Sequence, residues 1–136
     1  MTPEERAVML IAIEGGYLNG VIYEHNMRVN GKRFGDALVA PPISEEVVSA
    51  MVPQFSKVAA DLFERRLIEI REPHNGIWAE APPMTRAHVA AALDDRDTWI
   101  SYADRDNRMV MVMSTDRWEE LVRGNRVAEA RQDSTS

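Results

Sequence analysis

The sequence predicts an α+β fold, and three local observations carry that prediction. Apolar residues at Phe55, Val58, Ala59, Leu62 and Phe63 recur three and four positions apart, which places them on one face of a helix running to about residue 66. From Leu67 the period changes to two, with Leu67, Glu69 and Arg71 alternating with Ile68, Ile70 and Glu72 as in an extended strand. After Pro73-His74-Asn75-Gly76 comes a second extended run, Ile77 to Ala81. Asn-Gly readily takes the positive φ of a tight strand reversal, so residues 52–82 read as helix, strand, turn, strand.

Composition bounds what such a fold can do. The chain has 136 residues, 45% hydrophobic and 28% charged, ordinary values for a globular chain that buries a core without staples. Zero cysteines exclude disulfides, thiol catalysis and cysteine-ligated zinc. Glu4 and Glu5 precede the first apolar run, the wrong charge for a signal peptide, and no stretch approaches the roughly 20 apolar residues of a membrane span. A cytoplasmic location is expected. The net charge of −6 opposes indiscriminate nucleic-acid binding, which draws on phosphate neutralisation. A nucleic-acid reader of this composition must therefore segregate its cations onto one face.

The first helix starts at Thr2-Pro3-Glu4-Glu5: Thr2 caps, Pro3 suits the first turn, and the acids complement the helix dipole. It continues through Val8, Met9, Ile11, Ala12 and Ile13 and ends at Gly15-Gly16, where glycine supplies the left-handed cap. Residues 17–27 fit a second helix loosely. Arg28, Lys32 and Arg33 then form the one local excess of positive charge, in a small hairpin or exposed loop with a turn expected at Asn30-Gly31.

Ser44-Glu45-Glu46 caps a further helix with Val47, Val48 and Met51 inside. Pro53 leaves two alternatives: one long kinked helix, or helices 45–51 and 54–66 joined by a tight turn, the geometry of a helix-turn-helix. Thr85 caps a helix through Leu93 that ends at Asp94-Asp95-Arg96-Asp97. Runs 98–103 and 108–113 read as a second hairpin turning at residues 104–107. A last helix starts at Ser114-Thr115-Asp116, buries Trp118, Leu121 and Val122, and stops at Gly124. The expected organisation is a core unit of residues 1–82, an α-β-β-α extension of residues 83–124 packed on it, and a disordered tail of residues 125–136.

No catalytic signature stands out. His25, His74 and His88 lack the helical spacing of a metal site, and neighbouring acids such as Glu45-Glu46, Asp94-Asp95 and Glu119-Glu120 diverge by about 100° on a helix. No enzyme activity, cofactor or metal is expected. Met109, Met111 and Met113 alternate and share one face of their strand, a soft surface suited either to a core or to a protein partner.

Residues 5–81 resemble a winged-helix DNA-binding domain of the PadR or MarR type. Met9-Leu10-Ile11-Ala12-Ile13-Glu14-Gly15-Gly16-Tyr17-Leu18-Asn19-Gly20 is similar to the first helix and Gly-rich turn of those regulators. Val58-Ala59-Ala60-Asp61-Leu62-Phe63-Glu64-Arg65-Arg66-Leu67-Ile68-Glu69 is similar to their recognition helix entering the wing, with Arg66 where the family usually has Gly or Asn. The resemblance implies a winged helix-turn-helix core, followed here by a C-terminal helix, β-hairpin and final helix. It further implies a sequence-specific transcriptional regulator that binds double-stranded DNA, commonly as a homodimer. Gln54, Ser56 and Lys57 would reach the major groove and Arg71, His74 and Asn75 would touch backbone from the wing. Arg65 lies on the outward face of the same helix, and Arg28, Lys32 and Arg33 add phosphate contacts. The alternative is a winged-helix module that binds protein through Met109, Met111 and Met113 and no DNA.

Overall fold

The computed structural model describes residues 1–134 apart from Gly76, with side chains described through Asn125. Its architecture is mixed α+β. Helices α1 (Pro3–Glu14), α2 (Val21–Asn30), α3 (Glu45–Glu64), α4 (Arg86–Asp94) and α5 (Asp116–Ser134) accompany two antiparallel strand pairs. These are β1 (Lys32–Phe34) with β2 (Ala37–Val39), and β3 (Ile68–Arg71) with β4 (Met111–Ser114). No described helix is long and apolar enough to cross a membrane.

The helix starts follow local chemistry. Thr2 and Glu5 form a reciprocal capping box at 3.1 Å in each direction, and Ser44 and Thr85 accept the Val47 and His88 amides at 3.2 Å. Helix α1 ends at Gly15, φ 67°, with Gly16 N donating to Ile11 O and Gly15 N to Ala12 O. Helix α3 ends with the same hydrogen-bond pattern: Leu67 N donates to Leu62 O and Arg66 N to Phe63 O, both at 3.0 Å. The left-handed position there is Arg66, at φ 61°. An arginine thus occupies the conformation that glycine adopts without steric cost.

Pro53 does not divide α3, which is one helix from Glu45 to Glu64 rather than the pair 45–51 and 54–66. Proline removes one backbone donor, and the buried face outweighs that loss: Val48, Val52, Phe55, Ala59 and Leu62 are all at most 5% exposed. Gly124 does not stop α5 either. A glycine costs a helix only about 1 kcal/mol relative to alanine, and the helical path runs to Ser134 through the tail expected to be disordered. Residues 135 and 136 lie outside the described residues. Of the stripe expected on α5, Trp118 packs on the core while Leu121 is exposed.

The strand partners differ from those expected. Residues 67–81 do not close on themselves: β3 pairs with β4 in the register Ile68↔Ser114 to Arg71↔Met111, and residues 78–80 form a 3-10 turn. On its other edge β4 meets residues 16–18, through Leu18 N to Val110 O at 2.9 Å and Val112 N to Gly16 O at 3.0 Å. The strand nearest the C-terminus is therefore the central one. Nor do residues 98–103 pair with 108–113. Trp99 and Ile100 are neighbours and both fully buried, which a strand with one buried face does not allow. Side chains shape that loop instead: Trp99 Nε1 donates to Leu93 O at 2.8 Å, and the Tyr102 hydroxyl donates to Asp97 at 2.6 Å.

One apolar core unites Ala7, Val8 and Met9 of α1, Val21 and Ile22 of α2 and the buried face of α3. Ile68, Ile70, Val110 and Val112 of the sheet join it, together with Val89, Leu93, Trp99 and Ile100. The core draws alike on residues before and after position 82.

The excursion from residue 72 to residue 110 is clamped at its base by Arg108. Its guanidinium forks onto Glu72 at 2.8 and 2.9 Å and reaches Asp95 at 2.8 Å, all three side chains about one-third exposed. The hydrogen bonds from Arg108 hold the Glu72 carboxyl below its ordinary range. Burial pushes Asp95 upward, but the Asp97 amide and Arg108 more than reverse this, and its pKa is also lowered. Between them the two carboxylates raise that of Arg108.

Two stability outcomes follow. Arg66→Gly relieves the left-handed cap and should raise the urea midpoint by the equivalent of about 1 kcal/mol with an unchanged m-value. Arg108→Gln should cost about 2 kcal/mol at neutral pH. Because both carboxylates are lowered in the folded state, their contribution is full above about pH 5 and is lost as pH falls through their folded values. Urea titrations across pH should therefore show the gap between wild type and Arg108→Gln closing on the acid side.

Candidate nucleic-acid interface

Positive charge gathers at the junction of α2 with the β1–β2 hairpin. The turn expected at Asn30-Gly31 lies instead at Gly35-Asp36, between the paired residues Phe34 and Ala37, with Gly35 at φ 63°. Gly31 serves a different purpose. A Cβ there would stand 2.1 Å from Met27 O, so only glycine lets the chain leave α2 this sharply. The Asn26 side chain donates to Pro41 O at 3.1 Å and fastens the far end of the hairpin back to α2.

All six strand residues of this hairpin are exposed. Cross-strand pairing puts Lys32, Val39, Phe34 and Ala37 on one face and Arg33 with Leu38 on the other. Lys32 and Arg33 make no ion pair among the described residues. Arg28 donates Nε to Glu24 at 2.9 Å, a pairing that leaves its two terminal nitrogens unbonded among those residues. Arg6 and His25, which the sequence did not mark as contact residues, line a cavity together with Arg28. The sequence spacing of His25 speaks only to metal binding, and Arg6 sits on α1, far away in sequence.

The outward face of α3 mixes acids with bases, and most of its polar groups are paired. Lys57 is exposed and unpaired among the described residues. Gln54 donates to Glu4 at 2.7 Å, and Arg65 contacts Glu5 and Asp61 at 3.3 Å. Glu45 and Glu46 occupy the first turn of α3 and repel phosphate there. Ser56 cannot reach a base edge: it is 7% exposed, and its hydroxyl donates to Asp94 at 3.0 Å, joining α3 to α4.

The three wing residues lose their assigned setting with the hairpin at 67–81. Arg71 donates to Trp78 O at 3.2 Å and lies over the Trp78 ring at 4.6 Å. Asn75 hydrogen-bonds Glu80, and His74 is exposed beside it in a loop rather than at a strand reversal. The methionine face is also partly occupied. Met111 and Met113 are half-buried, Met113 approaches Gly15, and the Met109 sulfur accepts from Asn19 at 3.5 Å while its side chain is 37% exposed. Among the described residues no three His, Cys, Asp or Glu side chains converge as a metal site.

No family model, no curated protein and no solved structure matches the chain.

The burial of Ser56 has a measurable consequence. Ser56→Ala should lower stability by about 1 kcal/mol through loss of the bond to Asp94, read in thermal or urea unfolding. Any affinity for duplex DNA should stay unchanged.

Proposed function

We propose that this chain is a winged-helix module that binds double-stranded DNA as a sequence-specific regulator, with the β1–β2 hairpin making its principal backbone contacts. The observation that carries this reading is the order of elements around β4. Helix α1 is followed by residues 16–18, where Tyr17 forms an isolated bridge to Met111 and Leu18 opens a 3-10 turn, then α2 and α3, then β3 and β4, with β4 bonded to β3 on one edge and to residues 16–18 on the other. A winged helix has this arrangement, here with the connection between its last two strands enlarged to residues 72–110.

In that arrangement α2 and α3 are the helix-turn-helix pair, and the hairpin replaces the turn between them. An arm at that point lies beside the duplex when α3 faces the major groove. Lys32 and Arg33 are exposed there and unpaired among the described residues, which suits phosphate contact, whereas more than half of the other described arginines contact carboxylates. Gln54 and Lys57 are the exposed polar residues of α3 suited to the groove.

Binding of duplex fragments measured by electrophoretic shift across salt concentrations tests this. Lys32→Gln and Arg33→Gln should each reduce the salt slope by about 1 and weaken binding to all sequences alike. Gln54→Ala should alter sequence preference with the slope preserved. Absence of salt-dependent binding in the parent chain would remove the proposal.

A second reading, a protein-docking module without DNA binding, is favoured by one observation: Phe34 and Val39 are 67% and 50% exposed on the same hairpin face. Under that reading Phe34→Ser abolishes the interaction and Lys32→Gln does not.

A further inference from the structure

Between the first turn of α1, the second half of α2 and β2 lies a cavity of about 460 Å³, large enough for a small organic molecule. Its polar lining includes Thr2, Arg6, His25 and Arg28, and its apolar lining includes Met1, Val29 and Leu38. Four other surface cavities each carry at least one glutamate. This one is lined by cationic and imidazole side chains with no carboxylate, in a chain of net charge −6.

The groups are also available. Arg6 makes no side-chain hydrogen bond or ion pair among the described residues. Arg28 spends Nε on Glu24 and keeps its terminal nitrogens, the fork that meets a carboxylate or phosphate side-on. The His25 ring stands edge-on to Phe55 at 5.2 Å, a contact that fixes its position without using its nitrogens. Opposite these donors, Val29 and Leu38 expose apolar surface.

We propose that this cavity binds a small organic anion whose carboxylate or phosphate is held by Arg6 and Arg28 and whose apolar part lies on Val29 and Leu38. His25 adds a polar contact between them. Leu38 belongs to the hairpin, so an occupant bridges the arm to α2 and fixes how the arm is carried. The site rests on the cavity alone and does not require DNA binding.

Backbone amide NMR shifts of the full chain, titrated with phenyl phosphate, hexanoate and inorganic phosphate, test the proposal. Both organic probes should give saturable shifts centred on residues 25–31 and 37–39, and inorganic phosphate should bind about tenfold more weakly than phenyl phosphate. Arg6→Gln and Arg28→Gln should each weaken the organic probes by about tenfold. Leu38→Ser should weaken them while leaving inorganic phosphate unaffected. Arg6 and Arg28 are exposed, so these variants should keep the parent melting temperature, and Arg117→Gln removes the same charge from α5 as a control that should change nothing. No saturable shift by about 10 mM, equal affinity for inorganic and phenyl phosphate, or an equal loss on Arg117→Gln would overturn the site. Weakened duplex binding by Arg6→Gln with no probe bound would assign these cations to a nucleic-acid backbone and overturn it too. A bound probe with no DNA binding would leave the site standing and remove only the DNA reading.

Discussion

The pairing of β4 on both of its edges is the constraint on which the rest of the fold depends. Residues 111–114 lie between β3 and residues 16–18, so one short strand receives the chain as it leaves α1 and again as it leaves α3. It then delivers the chain into α5: Thr115 Oγ1 donates to Arg66 O at 2.6 Å and Thr115 N to Leu67 O at 3.2 Å, locking the start of the last helix to the end of α3. Two left-handed caps, at Gly15 and Arg66, turn the chain from helix to strand on the two sides of β4. Bringing β4 home requires closing the loop from residue 72, which costs conformational entropy before any strand bond repays it. The fork of Arg108 on Glu72, with its third contact at Asp95, offsets that cost where the excursion leaves and re-enters the sheet.

This dependence explains which parts of the structure were legible in sequence. The starts at Thr2, Ser44 and Thr85 and the stop at Gly15 were, because the three caps act through contacts three residues away and Gly15 ends α1 through its own φ, whereas Gly124 stays helical in α5. The extended character of residues 67–72 and 108–113 was also legible from their alternation. Their partners were not, because a period of two specifies which side chains share a face and says nothing about which distant strand supplies the hydrogen bonds. Asn75-Gly76 offered a nearby reversal, and the buried pair Val110 and Val112, with Val112 opposite Ile70 and both in the core that holds Ile68, offered a larger apolar surface at longer range. The apolar surface prevailed.

The candidate interface shows the same division at the level of single residues. Ser56 follows Val52 by four positions and precedes Ala59 by three, so its place on the inward arc of α3 was available from helical spacing once polarity was set aside. The pairing of Arg65 with Glu5 was not available, since it depends on how α1 crosses α3. The cationic run from Arg28 to Arg33 was visible as composition, whereas its extension by Arg6 and His25 required the packing of α1 beside α2.

Formal charge is a poor guide to where this molecule can meet an anion. Arg28 in part, Arg65, Arg71, Arg86, Arg96, Arg105 and Arg108 each contact carboxylates of the chain itself, so just over half of the described guanidinium groups are already balanced locally. What matters is which cations the fold leaves without a partner and whether they stand together. The hairpin achieves this because it projects from the body on a glycine with no room for a side chain, and its strands are too short to fold back onto acidic surface. A projecting arm of two strands has no core of its own. It is held to the body by Asn26, which donates to Pro41 O, and by Leu38 beside Gly31, and the cavity opens on the Leu38 face of the hairpin, which Arg33 shares and Lys32 does not.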